Sequence, residues 1–265
     1  MKFLRNKTVI VTGASSGIGY EISRLLIEKY GCTVIAIGRS KEKLENCKNR
    51  LGDKYIPRQA DVSDAEEWKK LGEWVQNSPL CPNILINNAG IMLPFIKEAD
   101  YEEADYKKII DTDLMSVVNS ILYVLPKLHG EKGLVNISSS SALCPVVGQG
   151  GYCMTKSAVK SLTEVLQIES DFYVGLMMPG FCKTNIMRSI EISDKEKKLI
   201  DAVSMDSEKC AKIIVRAIDK KRKRKVIGAD ARMMNFMYKI SPIGATKIIA
   251  KFLMHTKLSI FEKLR

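Results

Sequence analysis

Tyr152 and Lys156 are four residues apart in a stretch whose spacing predicts a helix over about 152–169, which puts both side chains on one face, one turn apart. An ordinary tyrosine, with a pKa of about 10, is a poor acid–base group at neutral pH, but a neighbouring ammonium favours the phenolate and lowers that value. The pair therefore has the makings of a proton-exchange centre. An exposed amphipathic helix produces the same spacing, so the reading depends on what else the chain supplies.

A second group of residues suits a phosphate. Gly13, Ser15, Ser16, Gly17, Ile18 and Gly19 fall between a β-branched run at 8–11 and a helical pattern marked by Ile18, Ile22, Leu25 and Leu26. Between a strand and a helix, such a turn offers backbone N–H groups and the positive end of the helix dipole to a dinucleotide pyrophosphate. Gly13 permits the tight turn, Gly17 lets the backbone approach phosphate, and Gly19 allows the helix to pack closely on the strand. The next apolar run, 33–37, ends at Gly38-Arg39-Ser40, where an NAD-binding domain normally sets a carboxylate on the ribose 2′-hydroxyl. Arg39 suits the 2′-phosphate of NADP(H) instead, which makes NAD the less expected cofactor; the competing reading is a solvated surface arginine.

These side chains need a scaffold, and the rest of the chain predicts one. A helical stretch at 41–51 is followed by an apolar run at 84–86, a helix at about 106–128, a strand at 133–137, the helix at 152–169 and a strand at 174–178. After a polar segment at 183–204 come a helix at 207–219, capped by Asp206 or Ser207, and a last strand at 226–229. Strands that are apolar without alternation predict a parallel sheet covered on both faces, an α/β, Rossmann-like, doubly wound fold. Two amphipathic helical stretches, 232–240 and 245–253, are parted by Ser241-Pro242. With 265 residues and neither repeat nor linker, the expectation is one domain over 1–265, with a substrate loop at 183–205 and a basic helical extension at 229–265.

The seven cysteines are scattered singly, without zinc spacing or the density of a disulfide scaffold, and read as free thiols with no metal site. Residues 1–6 are too short and too charged for a signal peptide, and no apolar run approaches the roughly 20 residues that span a bilayer, so a cytoplasmic location is expected. The net charge of +12 is uneven: residues 209–265 carry +13, which leaves −1 for residues 1–208.

Taken together, the chain resembles the short-chain dehydrogenase/reductase family. The resemblance rests on Thr12 to Gly19, on Asn87-Asn88-Ala89-Gly90, on Tyr152-Cys153-Met154-Thr155-Lys156 and on Pro179-Gly180 followed by Thr184, in that order along about residues 7–185. It implies hydride transfer between a nicotinamide and a small-molecule carbonyl or alcohol, with Tyr152 moving the proton of the substrate oxygen. Ser139, thirteen residues before Tyr152, would hold that oxygen, with Ser138 as its rival. Lys156 would also bind the nicotinamide ribose, Asp61 and Val62 the adenine end, and Asn88, Ala89, Gly90, Pro179, Gly180 and Thr184 further parts of the cofactor. Asn87 is similar to the residue that steadies the central sheet. A homodimer or homotetramer, through helices at 114–128 and 152–169, is the expected assembly. One position departs from the pattern: Asp113 stands where the family usually has an asparagine that shapes a water relay to the lysine, largely through its main-chain carbonyl; that carbonyl survives the change, and the added carboxylate is expected to alter either the relay or the lysine's charge balance. Asn119 is a weaker stand-in.

Two other function classes stay open on the sequence. Asp113 is the one feature that favours a cofactor-binding regulatory or scaffold protein without turnover. The basic run 220–225 and the greasy, lysine-bearing stretch 232–264 suit a peripheral contact with anionic membrane, whereas nucleic acid is the less expected polyanion; a solvated turn, an apolar substrate lid or a subunit contact are the plainer readings.

Overall fold

Val9, Ile10 and Val11 have no water-facing member, the pattern of a strand covered on both sides. In the computed structural model, which describes residues 3–183, 196, 200, 204–256 and 258–264, seven such segments join one sheet. They are β1 (Thr8–Thr12), β2 (Thr33–Gly38), β3 (Tyr55–Gln59), β4 (Ile84–Asn87), β5 (Gly133–Ile137), β6 (Tyr173–Pro179) and β7 (Arg224–Ile227). All pairings are parallel and the order is β3-β2-β1-β4-β5-β6-β7, so the chain reverses its direction of travel between β1 and β4. This is the expected doubly wound arrangement, and the crevice at the carboxyl ends of β1 and β4 is where such sheets bind ligands.

Helices close both faces. On one side α1 (Gly17–Tyr30), α2 (Lys41–Leu51) and α6 (Ser207–Asp219) pack on Val9, Val11, Val34, Ile84 and Val135. On the other, α3 (Ala65–Asn77) and α4 (Glu103–Lys127) pack on Ile10, Ile35, Leu85 and Leu134, with α5 (Gly150–Glu169) beside them. Burying large aliphatic side chains in this way stabilises by about 1.5–3 kcal/mol each. Although the sequence was expected to hold no run fit to span a bilayer, α4 is long and apolar enough by composition. Half of its apolar window is buried against protein, which is the pattern of a core helix.

Three expectations shift. β3 and α3 are additional to the elements read from the sequence: β3 is an edge strand with Pro57 and Arg58 in its middle, so it lacks an apolar run. The last strand begins two residues earlier than 226 and ends at Ile227, because Gly228, at φ +112°, turns the chain into α7 (Ala229–Ile240). Arg224 and Lys225 of the basic run therefore belong to a strand, and Lys220 to Lys223 form the turn before it. The extension folds as α7, α8 (Pro242–His255) and a 3-10 turn at Ser259–Leu264, whose inner side packs on Phe95, Val146 and Cys153. The substrate loop predicted at 183–205 lies almost wholly outside the described residues.

A buried polar ladder ties the layers together. The Asn87 amide donates to Ser120 Oγ and to Asn136 Oδ1, both at 2.8 Å, and the Asn136 amide donates to Thr163 Oγ1 at 2.9 Å. It links β4, β5, α4 and α5, the four elements that carry the candidate site. Because buried polar groups left without partners cost more than the bond itself gains, Asn136→Leu should lower stability by about 1–3 kcal/mol. Urea unfolding monitored by circular dichroism measures this; an unchanged midpoint would show the ladder to be dispensable.

Candidate active site

The first turns of α5 carry Tyr152 and Lys156 on one face, as their spacing predicts, and bury both: the tyrosine is 9% exposed and the lysine 4%. Lys156 Nζ lies 5.5 Å from the centre of the Tyr152 ring. Ser139, just beyond β5, turns its hydroxyl to the Tyr152 phenol. Ser138 faces the other way and donates to the Lys156 main-chain carbonyl at 2.8 Å, so it steadies α5 and leaves Ser139 as the serine at the phenol.

Asp113 completes the group. Its Oδ2 is 2.9 Å from Lys156 Nζ, and the Ile91 N–H donates to its Oδ1 at 2.8 Å. The carboxylate is fully buried. Over Asp111–Met115 helix α4 widens to a π turn, a local departure often found at functional positions, and this turn carries Asp113. Gly90 lies against both charges: a Cβ there would come 2.9 Å from Asp113 Oδ2 and 3.0 Å from Lys156 Nζ. Asn119, farther along α4, takes no part in this ion pair.

The electrostatics follow from burial and pairing. Burial pushes the Tyr152 phenol up and Asp113 adds to the rise, while Lys156 and the Ser139 hydroxyl pull down; the net direction is up. Lys156 acts on the phenol in the expected sense, but desolvation outweighs it and Asp113 offsets its charge, so the net lowering expected from the Tyr152–Lys156 spacing gives way to a rise. Lys156 would lose its proton more readily through burial alone, yet Asp113 and Tyr152 hold its pKa above the usual lysine range. Asp113 is pushed up by burial, against the pull of Lys156 and the Ile91 N–H.

The glycine turn sits at the carboxyl end of β1, in the crevice between β1 and β4. Gly13 and Gly17 adopt positive φ, +64° and +54°, and a Cβ on Gly19 would overlap the Gly13 carbonyl. Ser16 caps α1 without a side-chain bond to the helix, and no acidic residue occupies the first turn, which leaves N–H donors facing outward. With Ser15 and Ile18 in the same turn, this arrangement fits an anionic dinucleotide. The turn is clamped to the next segment: Thr12 Oγ1 accepts from the N–H groups of Asn88 and Ala89 at 2.9 and 3.0 Å, and the Asn88 amide donates to the Thr12 carbonyl at 2.9 Å.

The remaining candidates ring that turn. Arg39 is exposed just after Gly38, where a Cβ would stand 3.4 Å from Ser15 Oγ; among the described residues its guanidinium has no partner. Asp61 accepts from Ser63 N–H and Oγ at 3.0 and 2.8 Å, and the Val62 carbonyl accepts from Trp68 Nε1 at 2.8 Å, so both residues shape the loop after β3. Pro179 ends β6 and Gly180 follows it; Thr184 lies outside the described residues. Asp230, which the sequence reading passed over, accepts from the Phe181 N–H at 2.7 Å and occupies the space a Gly180 side chain would need. A single aspartate after a strand gives no sequence signal for that contact.

The sequence profile described as short chain dehydrogenase matches residues 7–195. An uncharacterised oxidoreductase of Staphylococcus aureus (strain MW2) is 34% identical over 205 residues, covering 74% of this chain and 87% of that protein. Retinol dehydrogenase 7 of Rattus norvegicus is 29% identical over 204 residues, covering 75% of this chain but only 64% of the rat protein. Among solved structures, the closed form of serine dehydrogenase complexed with NADP+ superposes with a TM-score of 0.74 at 24% identity, covering 83% of this chain and 93% of that one; this likeness concerns the fold.

Proposed function

This chain belongs to the short-chain dehydrogenase family of oxidoreductases, and from that membership we propose that it is an NADP(H)-dependent enzyme acting on an apolar carbonyl or alcohol. The observation that carries the reading is the convergence of Tyr152, Ser139, Lys156 and Asp113 from three elements onto one buried spot, joined to the glycine turn through the segment Asn88-Ala89-Gly90. The cofactor, when bound, supplies or accepts the hydride. In reduction the Tyr152 hydroxyl donates its proton to the substrate oxygen, and in oxidation the phenolate takes it back. Ser139 donates a hydrogen bond to the same oxygen, where negative charge grows in the transition state. Lys156 keeps its positive charge below the phenol, and the Asp113 carboxylate holds it in place. The cofactor-binding set is Gly13, Ser15, Ser16, Gly17, Ile18, Gly19, Arg39, Asp61, Val62, Asn88, Ala89, Gly90, Pro179, Gly180 and Thr184, together with Tyr152 and Lys156.

Leu93, Ile109 and Met92 packed around Tyr152 support an apolar substrate, as does the likeness to a relative named for retinol. Removing the phenolic proton should expose the assignment directly: Tyr152→Phe is expected to lower NADPH-dependent reduction of a ketone or aldehyde by about a hundred-fold or more while NADPH still binds. Retention of most of the activity by that variant would refute the role given to Tyr152.

The exposed guanidinium of Arg39, one residue after the Gly38 that lies against Ser15, supports NADP(H) over NAD. Loss of a charge-assisted contact to the 2′-phosphate, with a carboxylate in its place, should weaken NADPH binding by roughly ten-fold or more in Arg39→Asp, with little loss for NADH. Equal effects on both cofactors, measured by fluorescence titration, would remove Arg39 from the 2′-phosphate site.

A homo-oligomer is supported by exposed apolar residues on the two helices that the resemblance points to: Met115 and Leu122 on α4, and Met154, Val165 and Ile168 on α5, the last 85% exposed. Light scattering should find a dimer or tetramer that Ile168→Glu releases toward monomers; a monomeric parent protein would contradict it. The seven cysteines, all unpaired, support work in the reducing cytoplasm.

A further inference from the structure

Helices α7 and α8 pack on one another and are apolar on two opposite sides. Their inner side is spent on the protein: Met234, Ala245 and Leu253 are buried with Phe95, Val146 and Cys153. The outer side carries Met233, Phe236 and Ile240, spaced three and four residues apart along α7, and Ile243, Ile248 and Phe252 on α8, each between 57% and 72% exposed. Six large apolar side chains on two adjoining helices exceed the scattered exposure of an ordinary soluble surface and mark a contact face.

The charge on this face selects its occupant. Residues 231–261 contain no aspartate or glutamate, while Arg232, Lys239, Lys247 and Lys251 stand exposed among the apolar residues. Lysines placed beside apolar residues can bury their stems and keep the ammonium at a polar, anionic boundary. A second copy of the same face would set ammonium against ammonium, and a neutral protein groove would leave the four cations unmatched. We propose that α7 and α8 dock this protein on an anionic lipid bilayer, lying in the headgroup plane with Phe236, Ile240, Ile248 and Phe252 inserted and Lys239, Lys247 and Lys251 on lipid phosphates. The proposal stands apart from the reaction assignment, because none of these side chains belongs to the Tyr152 site.

The test is co-sedimentation of the full chain with phosphatidylcholine vesicles, with and without phosphatidylglycerol, at low and high salt. Binding is expected to the anionic vesicles, about ten-fold weaker to neutral ones and weakened again by salt. The double variant Phe236→Ser with Phe252→Ser should lose binding, and so should Lys247→Glu with Lys251→Glu, whose altered side chains are exposed; circular dichroism and NADPH binding should stay as in the parent. The proposal is overturned if no vesicle is bound, if both double variants bind as the parent does, or if duplex DNA captures the chain while vesicles do not. A shift of the parent from oligomer to monomer in the Phe236/Phe252 variant, with vesicle binding intact, would assign the face to a second copy and equally overturn it.

Discussion

The ion pair between Asp113 and Lys156 is the constraint around which the candidate site is built. Two charges withdrawn from water cost several kcal/mol each, and such a pair persists only when its geometry is good and its remaining atoms find partners. The fold supplies these conditions from separate elements. The π turn of α4 brings the carboxylate inward, the Ile91 N–H satisfies its second oxygen, and a glycine at 90 leaves room for both groups. The ladder from Asn87 to Ser120 and through Asn136 to Thr163 ties α4 and α5, the helices that carry the pair, to β4 and β5.

Its consequence is electrostatic. A lysine alone would act on Tyr152 as an unopposed positive charge, pulling the phenol down against the push of burial. Beside a carboxylate 2.9 Å away, much of that charge is offset, and burial leaves the Tyr152 phenol harder to ionise than an ordinary tyrosine. The protonated phenol is the form that can give a proton to a substrate oxygen, and the phenolate the form that can take one. In this chain Asp113 adds to what burial does, and works against Lys156 at the Tyr152 phenol.

Much of this was legible in the sequence where the information is local. The Tyr152–Lys156 spacing, the glycines of the turn and the apolar runs of β1, β2, β5 and β6 each declare themselves within a few residues, and the family resemblance ordered them. Edge strand β3 did not, because Pro57 and Arg58 interrupt its pattern and one side of it meets water. The choice between Ser138 and Ser139 depends on which way each hydroxyl points beyond β5, which composition does not record. The Asp113 partner, the clamp of Asp230 on the Gly180 turn and the balance of burial against charge at Tyr152 all join residues distant in the chain. For these the sequence offered the residue types but not the distances.

The most direct test is the pH dependence of alcohol oxidation, with any alcohol the enzyme turns over, in the parent protein and in Asp113→Asn. Oxidation needs the phenolate, so its rate rises with pH through the Tyr152 pKa. Replacing the carboxylate with a neutral amide removes one contribution that raises that pKa and leaves Lys156 uncompensated; the rise should therefore move to lower pH. A profile that stays in place, or moves to higher pH, would contradict the account.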